Sequence, residues 1–162
     1  VESNIIALSE EIERGANLEN MFYQCISLES LNLTNFNTSQ VTTMAYMFAG
    51  DSGLYSLDLS SWNTENVYSM AFLFQGCSGL VSIDVSSFNT TNVITMESMF
   101  DTCTSMEGFN ICSFKVDNTK YFSNMFALEG IFYSVRLLED TYKKIRDSGV
   151  SGITDNVSFD CE

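Results

Sequence analysis

The chain has 162 residues, 45% of them hydrophobic, which is too apolar for a disordered chain and enough for one domain with a buried core. A formal net charge of −14 argues against nucleic acid and anionic membrane surfaces as partners and leaves basic or neutral partners. The absence of His removes the most common catalytic base and zinc ligand, and no apolar run approaches the ~18 residues that span a bilayer, so we expect no direct membrane insertion.

The N-terminal residues 1–27 are predicted to form a cap and a partial repeat. The sequence begins at Val1 rather than Met, so we expect a processed protein or a fragment, with any signal or anchor outside it. Leu18, Met21 and Phe22 match the second half of the repeat that follows, whereas the first half is irregular. An atypical terminal unit is typical of stacked repeats, because it covers their apolar end.

A 26-residue repeat dominates the rest of the chain. Three regular repeats are followed by a divergent repeat and a C-terminal cap: 28–53, 54–79, 80–105, 106–131 and 132–162. The cap contains a predicted amphipathic helix from Leu138 to Arg146. No single unit can bury its own apolar face, so the units are predicted to stack as one domain.

Each repeat changes its apolar period part-way along. Leu57 and Leu59 alternate with polar neighbours, which predicts a short strand with these two side chains inward. Val67, Met70 and Leu73 follow at spacings of three, which predicts a helix of two to three turns. Candidate N-caps and closing glycines flank the predicted helices: Thr38, Thr64, Thr90, Gly50 and Gly76.

The repeat resembles the BspA-type leucine-rich repeats of bacterial and protist surface proteins, over roughly residues 17–137. Leu54 to Gly79 and Leu80 to Ser105 match nearly every position of that pattern. The resemblance implies an α/β leucine-rich-repeat solenoid, with parallel strands on one face, short helices on the other and irregular terminal caps. It also implies a cell-surface or secreted protein that acts in adhesion or ligand binding.

The outward side of the predicted strands is the candidate binding surface. Stacking would align small polar and acidic side chains there, and we predict these ligand-binding residues: Asn32, Ser56, Asp58, Ser82, Asp84, Asn110 and Arg136. Such a face would take a cationic peptide, a glycan through its hydroxyls and amides, or a hard cation between Asp58 and Asp84. The alternative is that these are solvated residues of the repeat without a ligand.

An enzymatic interpretation has less support. Two carboxylates about 5 to 5.5 Å apart, such as Asp58 and Asp84, would fit a retaining glycosidase. The sequence supplies no cleft and no apolar pocket that would separate their pKa values. No catalytic residue, no metal site and no cofactor is predicted.

The aromatic, Met and Cys columns are predicted to be core. They are Phe36, Trp62, Phe88 and Phe114; Phe22, Phe48, Phe74, Phe100 and Phe126; and Met21, Met44, Met47, Met70, Met96, Met99 and Met125. Cys77 and Cys103 share one repeat position with Cys25, and buried thiols fit better there than a Cys77–Cys103 disulfide, which the spacing also allows. Cys161 could tie the C-terminal segment back onto the repeats.

The sequence therefore predicts a non-enzymatic protein- or glycan-binding module for adhesion, in a cell-surface or secreted protein. The alternative is a structural subunit packed within a larger multiprotein assembly. Asn156 is the preferred glycosylation acceptor among the Asn-x-Ser/Thr sequons, because Asn37 and Asn89 belong to a repeated turn.

Overall fold

The computed structural model describes residues 17–126, 134–149 and 157–161. In chain order these contain β1 (Ser56–Asp58), β2 (Ser82–Asp84), β3 (Gly108–Asn110), β4 (Ser134–Arg136), α1 (Glu139–Asp147) and β5 (Val157–Ser158). β1 and β2 form a two-stranded sheet, and β3, β4 and β5 form a three-stranded one, with every pairing parallel. The fold is mixed α/β with short parallel strands, which confirms the predicted α/β class and the parallel arrangement of the strands.

Residues one repeat apart lie side by side. Leu57 pairs with Ile83 and Asp58 with Asp84, at the 26-residue offset read from the sequence. A second line of parallel bridges keeps the same offset on another side of each unit: Asn17, Thr43, Ser69, Thr95 and Tyr121. We call each 26-residue unit a coil. We call this second line of bridges, together with the turns that follow it, the turn ladder.

The predicted short helices of the regular coils are wrong, because turns occupy those positions. Met70 N, Phe72 N and Phe74 N donate to carbonyl oxygens of the next coil at 3.0, 2.8 and 3.0 Å, rather than to residues four positions earlier. The intervening amides close tight turns, such as Leu73 N to Met70 O at 3.3 Å. The stack therefore supplies the hydrogen bonds that a helix would supply internally.

Two positions per coil in the turn ladder take left-handed backbone angles, which interrupt any helix. One is occupied by Gly50 and Gly76, at φ of 82° and 72°, where glycine carries little strain. The other carries side chains throughout, at φ between 50° and 60°: Asn20, Tyr46, Phe72, Ser98 and Asn124. Gly50 and Gly76 thus shape turns rather than close helices.

The predicted N-cap role of the repeated Thr is also wrong, since it has no helix to cap. The Thr64 hydroxyl donates to Asn89 O at 3.0 Å and accepts from Asn89 N at 2.8 Å, in the next coil. Thr38 makes the same pair of bonds to Asn63, and Thr90 makes it to Lys115. All three Thr are at most 2% exposed, so they form a buried hydroxyl ladder along the stack.

The predicted core columns are confirmed for all but the first coil. Successive rings stack at centroid distances of 5.6 to 5.7 Å from Phe48 through Phe74 to Phe100, and at 6.4 to 6.5 Å from Trp62 through Phe88 to Phe114. Six Met side chains of the predicted column are fully buried: Met44, Met47, Met70, Met96, Met99 and Met125. Met21 and Phe22 are only partly buried, because they belong to the first described coil.

The C-terminal part closes the stack. α1 confirms the predicted amphipathic helix, and its buried Ile145 joins the core while Thr141 donates to Phe114 O at 3.2 Å. A disulfide joins Cys112 to Cys161, so Cys161 does tie the last segment back. Cys77 and Cys103 are buried thiols, as expected, whereas the expectation is wrong for Cys25, which is exposed in the first described coil. Within the described ranges no helix is long and apolar enough to cross a bilayer.

Candidate functional site

The strand face is the outward side of β1 and β2, formed by Ser56, Asp58, Ser82 and Asp84. All four side chains are exposed, whereas Leu57 between them points into the core and is 6% exposed. Together with Leu57 and Ile83 they line a shallow, open depression of ≈ 280 Å³. The structure thus brings four predicted ligand-binding residues together around a partly apolar floor.

Both carboxylates of the strand face are held in fixed positions. Asp58 Oδ1 accepts hydrogen bonds from Ser60 Oγ at 2.7 Å and Ser60 N at 3.0 Å, and these bonds lower the pKa of Asp58. Hydrogen bonds from Ser86 lower the pKa of Asp84, although the neighbouring charge of Asp58 acts in the opposite direction. Two ionised carboxylates therefore stand side by side on paired strands at neutral pH.

The same turn continues along the column to either side. Asn32 Oδ1 accepts from Thr34 Oγ1 at 2.8 Å and from Thr34 N at 3.1 Å, and Asn110 Oδ1 accepts from Cys112 N at 3.2 Å. Residues 30–32 form no strand. Asn32 nevertheless presents its amide at the position equivalent to Asp58.

Arg136 lies in the predicted column but is already engaged. Its pairing with Asn110 confirms the register, and its guanidinium donates to the backbone oxygen of Asp160, from Nε at 2.6 Å and also from Nη2. The Asp160 carboxylate lies 3.8 Å from Nε. The polar column that remains open to a partner therefore runs from Asn32 to Asn110.

Tyr55 is a surface residue that the sequence pattern did not single out. It directly precedes β1 and is 63% exposed, beside the depression. Its amide donates to Glu29 O at 3.2 Å and its carbonyl accepts from Val81 N at 3.3 Å, so neighbouring coils fix its backbone. The sequence feature that indicates this surface residue is an aromatic side chain at a repeat position that varies between coils. An exposed ring beside fixed acids and hydroxyls can stack on a sugar or an aliphatic chain.

The strand face presents its two carboxylates as an ionised pair. In the described part of the chain, no group of three or more His, Cys, Asp and Glu residues is placed to hold a metal ion. Neither Asp58 nor Asp84 has the raised pKa that a general acid requires, since hydrogen bonds lower both. The arrangement is suited to binding cationic or hydroxyl-bearing groups through fixed acceptors.

The sequon asparagines of the repeated turn have structural roles. Asn37 Oδ1 accepts from Ser39 N at 3.0 Å, and Asn89 Oδ1 accepts from Thr91 N at 3.1 Å. These bonds agree with the turn role expected for both residues. Asn156, the preferred glycosylation acceptor, lies outside the described residues.

Comparison with known protein families matches residues 16–134 to the model of DUF285, described as a Mycoplasma protein of unknown function. The match covers β1, β2, β3 and the turn ladder from Asn17 to Tyr121, and it ends at Ser134, the first residue of β4. No curated protein and no solved structure matches the chain. The family therefore comes without an assigned activity, and function has to be argued from the geometry.

Proposed function

Because the chain belongs to the DUF285 family, whose description assigns no function, we propose from its own geometry that it is a non-enzymatic binding module. It is a leucine-rich-repeat solenoid of the BspA type that holds a protein or a glycan on its strand face, as an adhesion module of a cell-surface or secreted protein. The register of 26 residues on two separate sides of the coils supports the solenoid.

The observation that carries this proposal is the depression on the strand face. Its carboxylates and hydroxyls are presented at the repeat spacing, and side-chain hydrogen bonds hold Asp58 in place before any partner arrives. A surface that is ordered in advance loses less conformational entropy on binding. Tyr55, which directly precedes Ser56 in the chain, adds an exposed aromatic ring.

Charge favours a basic partner. Between Arg14 and Lys115 the chain has no Lys or Arg, whereas the same stretch has nine acids: Glu19, Glu29, Asp51, Asp58, Glu65, Asp84, Glu97, Asp101 and Glu107. The strand face lies in the middle of this stretch. A cationic segment is therefore attracted to it from a distance, which raises the association rate at low ionic strength.

The disulfide supports a secreted or cell-surface setting. Cys112 and Cys161 are joined across 49 residues. Disulfides of this structural kind form and persist in oxidising compartments and are rare in the reducing cytosol. The bond also fixes the segment that engages Arg136, so the end of the strand face depends on it.

Binding arrays test the proposal. The labelled protein is applied to a glycan microarray and to an immobilised oligolysine peptide, alongside a variant carrying Asp58→Asn and Asp84→Asn. A matched control carries Glu65→Gln and Asp117→Asn, which remove the same charge from exposed positions outside the strand face. We expect binding to at least one probe, weakened about tenfold or more in the strand-face variant and little changed in the control. Binding to neither probe, or equal loss in both variants, would contradict the proposal.

One observation favours a second candidate function, that of a structural subunit in a larger assembly. No described residue donates to the carbonyl oxygens of Asn17, Glu19, Met21 and Tyr23, although the equivalent carbonyls of the next coil all accept at 2.8 to 3.1 Å. Ile26 is 64% exposed beside them, where the other coils have Ser52, Ser78 and Thr104. This edge combines carbonyl oxygens that accept from no described residue with an exposed apolar side chain. Both features are typical of an interface between coils.

Sedimentation equilibrium separates the two candidates. A subunit that packs through this edge self-associates or joins a co-purified complex, and Ile26→Asp disperses it while Ile94→Asp, at another exposed apolar position, does not. A monomer at every concentration, with array binding intact, supports the binding module instead.

A further inference from the structure

Asp51 places an ionisable group at a repeat position that thiols occupy in the neighbouring coils. The position one repeat before it is Cys25, and those after it are Cys77 and Cys103. The Asp51 side chain is fully buried, with 0% exposure, as are the side chains of Cys77 and Cys103. A carboxyl group at such a site has to be either neutral or compensated by donors.

The neighbouring thiols show what the site accepts. Cys77 Sγ donates to Phe48 O at 3.1 Å, and Cys103 Sγ donates to Phe74 O at 3.0 Å, each to the carbonyl 29 residues earlier. The carbonyl at that offset from Asp51 belongs to Phe22. Phe22 O accepts from Cys25 N at 3.1 Å, just as Phe48 O accepts from Asp51 N at 3.2 Å, so the two sites are equivalent. The site is therefore built for a neutral donor.

Only one of the two oxygens of the Asp51 carboxyl group accepts a hydrogen bond from a described residue. Oδ1 accepts from Cys25 N at 2.7 Å, while Oδ2 is buried and no described residue bonds to it. A proton on Oδ2 converts this atom into a donor, as in the thiol coils. An ionised group would keep a buried negative charge with a single donor, which is strongly unfavourable.

Among the described residues, no cation faces Asp51 to compensate the charge. The titratable groups that interact with it are Cys25 on one side and Cys77 on the other. Burial raises the pKa of the Cys25 thiol, and burial raises that of Cys77 to about 12, with the Asp51 charge adding to both. Both neighbours therefore stay neutral, and burial raises the pKa of Asp51 itself to about 6.

We propose that Asp51 is a pH-operated latch: as a neutral acid it seats the coil of residues 17–25 against the coil that follows, and its ionisation, with the proton passing to water, loosens that coil. The segment it controls includes the edge whose carbonyl oxygens accept from no described residue and the exposed Ile26. The first described coil thus opens less often at acidic pH and more often at neutral pH. The coils that carry the strand face are unaffected.

The direction of the effect follows from proton linkage. The folded pKa of about 6 lies above the ordinary value of 3.8, so the folded coil binds the proton more tightly than the opened one. The stabilisation is complete below about pH 4 and is lost as the pH rises through 6. The opening equilibrium of the coil is expected to increase about 60-fold between pH 4 and pH 7.5.

Amide hydrogen exchange tests the latch directly. Exchange of the Phe22, Gln24 and Cys25 amides is measured at pH 4.5 and 7.5 and corrected for intrinsic rates, with the Ser98 and Phe100 amides as internal controls. We expect protection in the first group to fall by about 25-fold at the higher pH, with no such change in the second. Asp51→Cys, which restores the thiol of the other coils, should remove the pH dependence.

Two results would overturn the latch. One is an unchanged pH dependence in Asp51→Cys, and the other is wild-type protection that does not vary with pH. The carboxyl ¹³C shift of Asp51 in the wild-type protein gives an independent reading that needs no variant. A titration midpoint near 6 agrees with the proposal, and a midpoint below 4.5 contradicts it.

Discussion

The hydroxyl ladder gives the most direct link between one side chain and the stability of the stack. Thr64 is 0% exposed and bridges to the next coil through two bonds, donating to Asn89 O at 3.0 Å and accepting from Asn89 N at 2.8 Å. Thr64→Val keeps the shape and removes both bonds. Each buried polar group left without a partner costs about 1 to 3 kcal/mol, so we expect the variant to lose about 2 to 4 kcal/mol of unfolding free energy.

Thr64→Ser is the matched comparison, because it keeps the hydroxyl and removes one methyl group. Loss of a buried methyl costs about 1 kcal/mol, so the Ser variant should be more stable than the Val variant by about 1 to 3 kcal/mol. Urea unfolding at constant pH measures both, with Thr104→Val at an exposed position as a control expected to change stability by less than about 0.5 kcal/mol. A Val variant as stable as the Ser variant would refute the bridging role.

Three further predictions concern the cap, the core and the close packing of coils. Replacing Cys112 and Cys161 by Ser should lower stability by up to about 4 kcal/mol, the chain-entropy value for a loop of 49 residues, and added reductant should lower the wild-type melting temperature in the same way. Trp62→Phe should cost less than about 1.5 kcal/mol in urea unfolding, because the buried Nε1 has no partner and the adjacent coils have Phe at this position; a loss above about 3 kcal/mol would contradict this. Gly79→Ala should lower the melting temperature much more than Gly149→Ala, since a Cβ at Gly79 would lie 2.4 Å from Ser52 O, whereas one at Gly149 meets nothing within 4 Å and only adopts an unfavourable φ of 77°; equal losses would refute the close approach.

The stacking of coils could be predicted from the sequence because the spacing of the apolar residues determines this kind of packing. Leu57 and Ile83 recur at one phase of the repeat, and only a fixed offset brings all such residues into one core. The outward position of Asp58 and Asp84 follows from the same alternation. The core rings and the open polar face were therefore accessible without coordinates.

The turns could not be distinguished from helices by that spacing. Val67, Met70 and Leu73 point inward either way, since a chain of tight turns also brings every third residue to one side. The difference lies in the amide of Phe72, which finds its acceptor in Glu97 of the next coil. A pattern within one coil contains no information about hydrogen bonds to another coil.

Hydrogen bonds between residues far apart in the sequence explain the remaining differences between the prediction and the structure at the candidate site. Arg136 is engaged by a backbone oxygen 24 residues away, in a segment without repeat character. The hydroxyl of Thr64 bonds to a residue 25 positions on, where local rules favoured a cap. In both cases the residue type was informative about hydrogen bonding, and the identity of the partner required the fold.

Nuclear Overhauser effects between backbone protons test the central claim, that successive coils stack at an offset of 26 residues through a ladder of turns. In ¹⁵N-labelled protein, we predict contacts that link Thr43 to Ser69, Ser69 to Thr95, and Leu57 to Ile83, each pair being one repeat apart. A continuous series of contacts between residues three and four apart over residues 67–76, without contacts one repeat apart, would contradict the account.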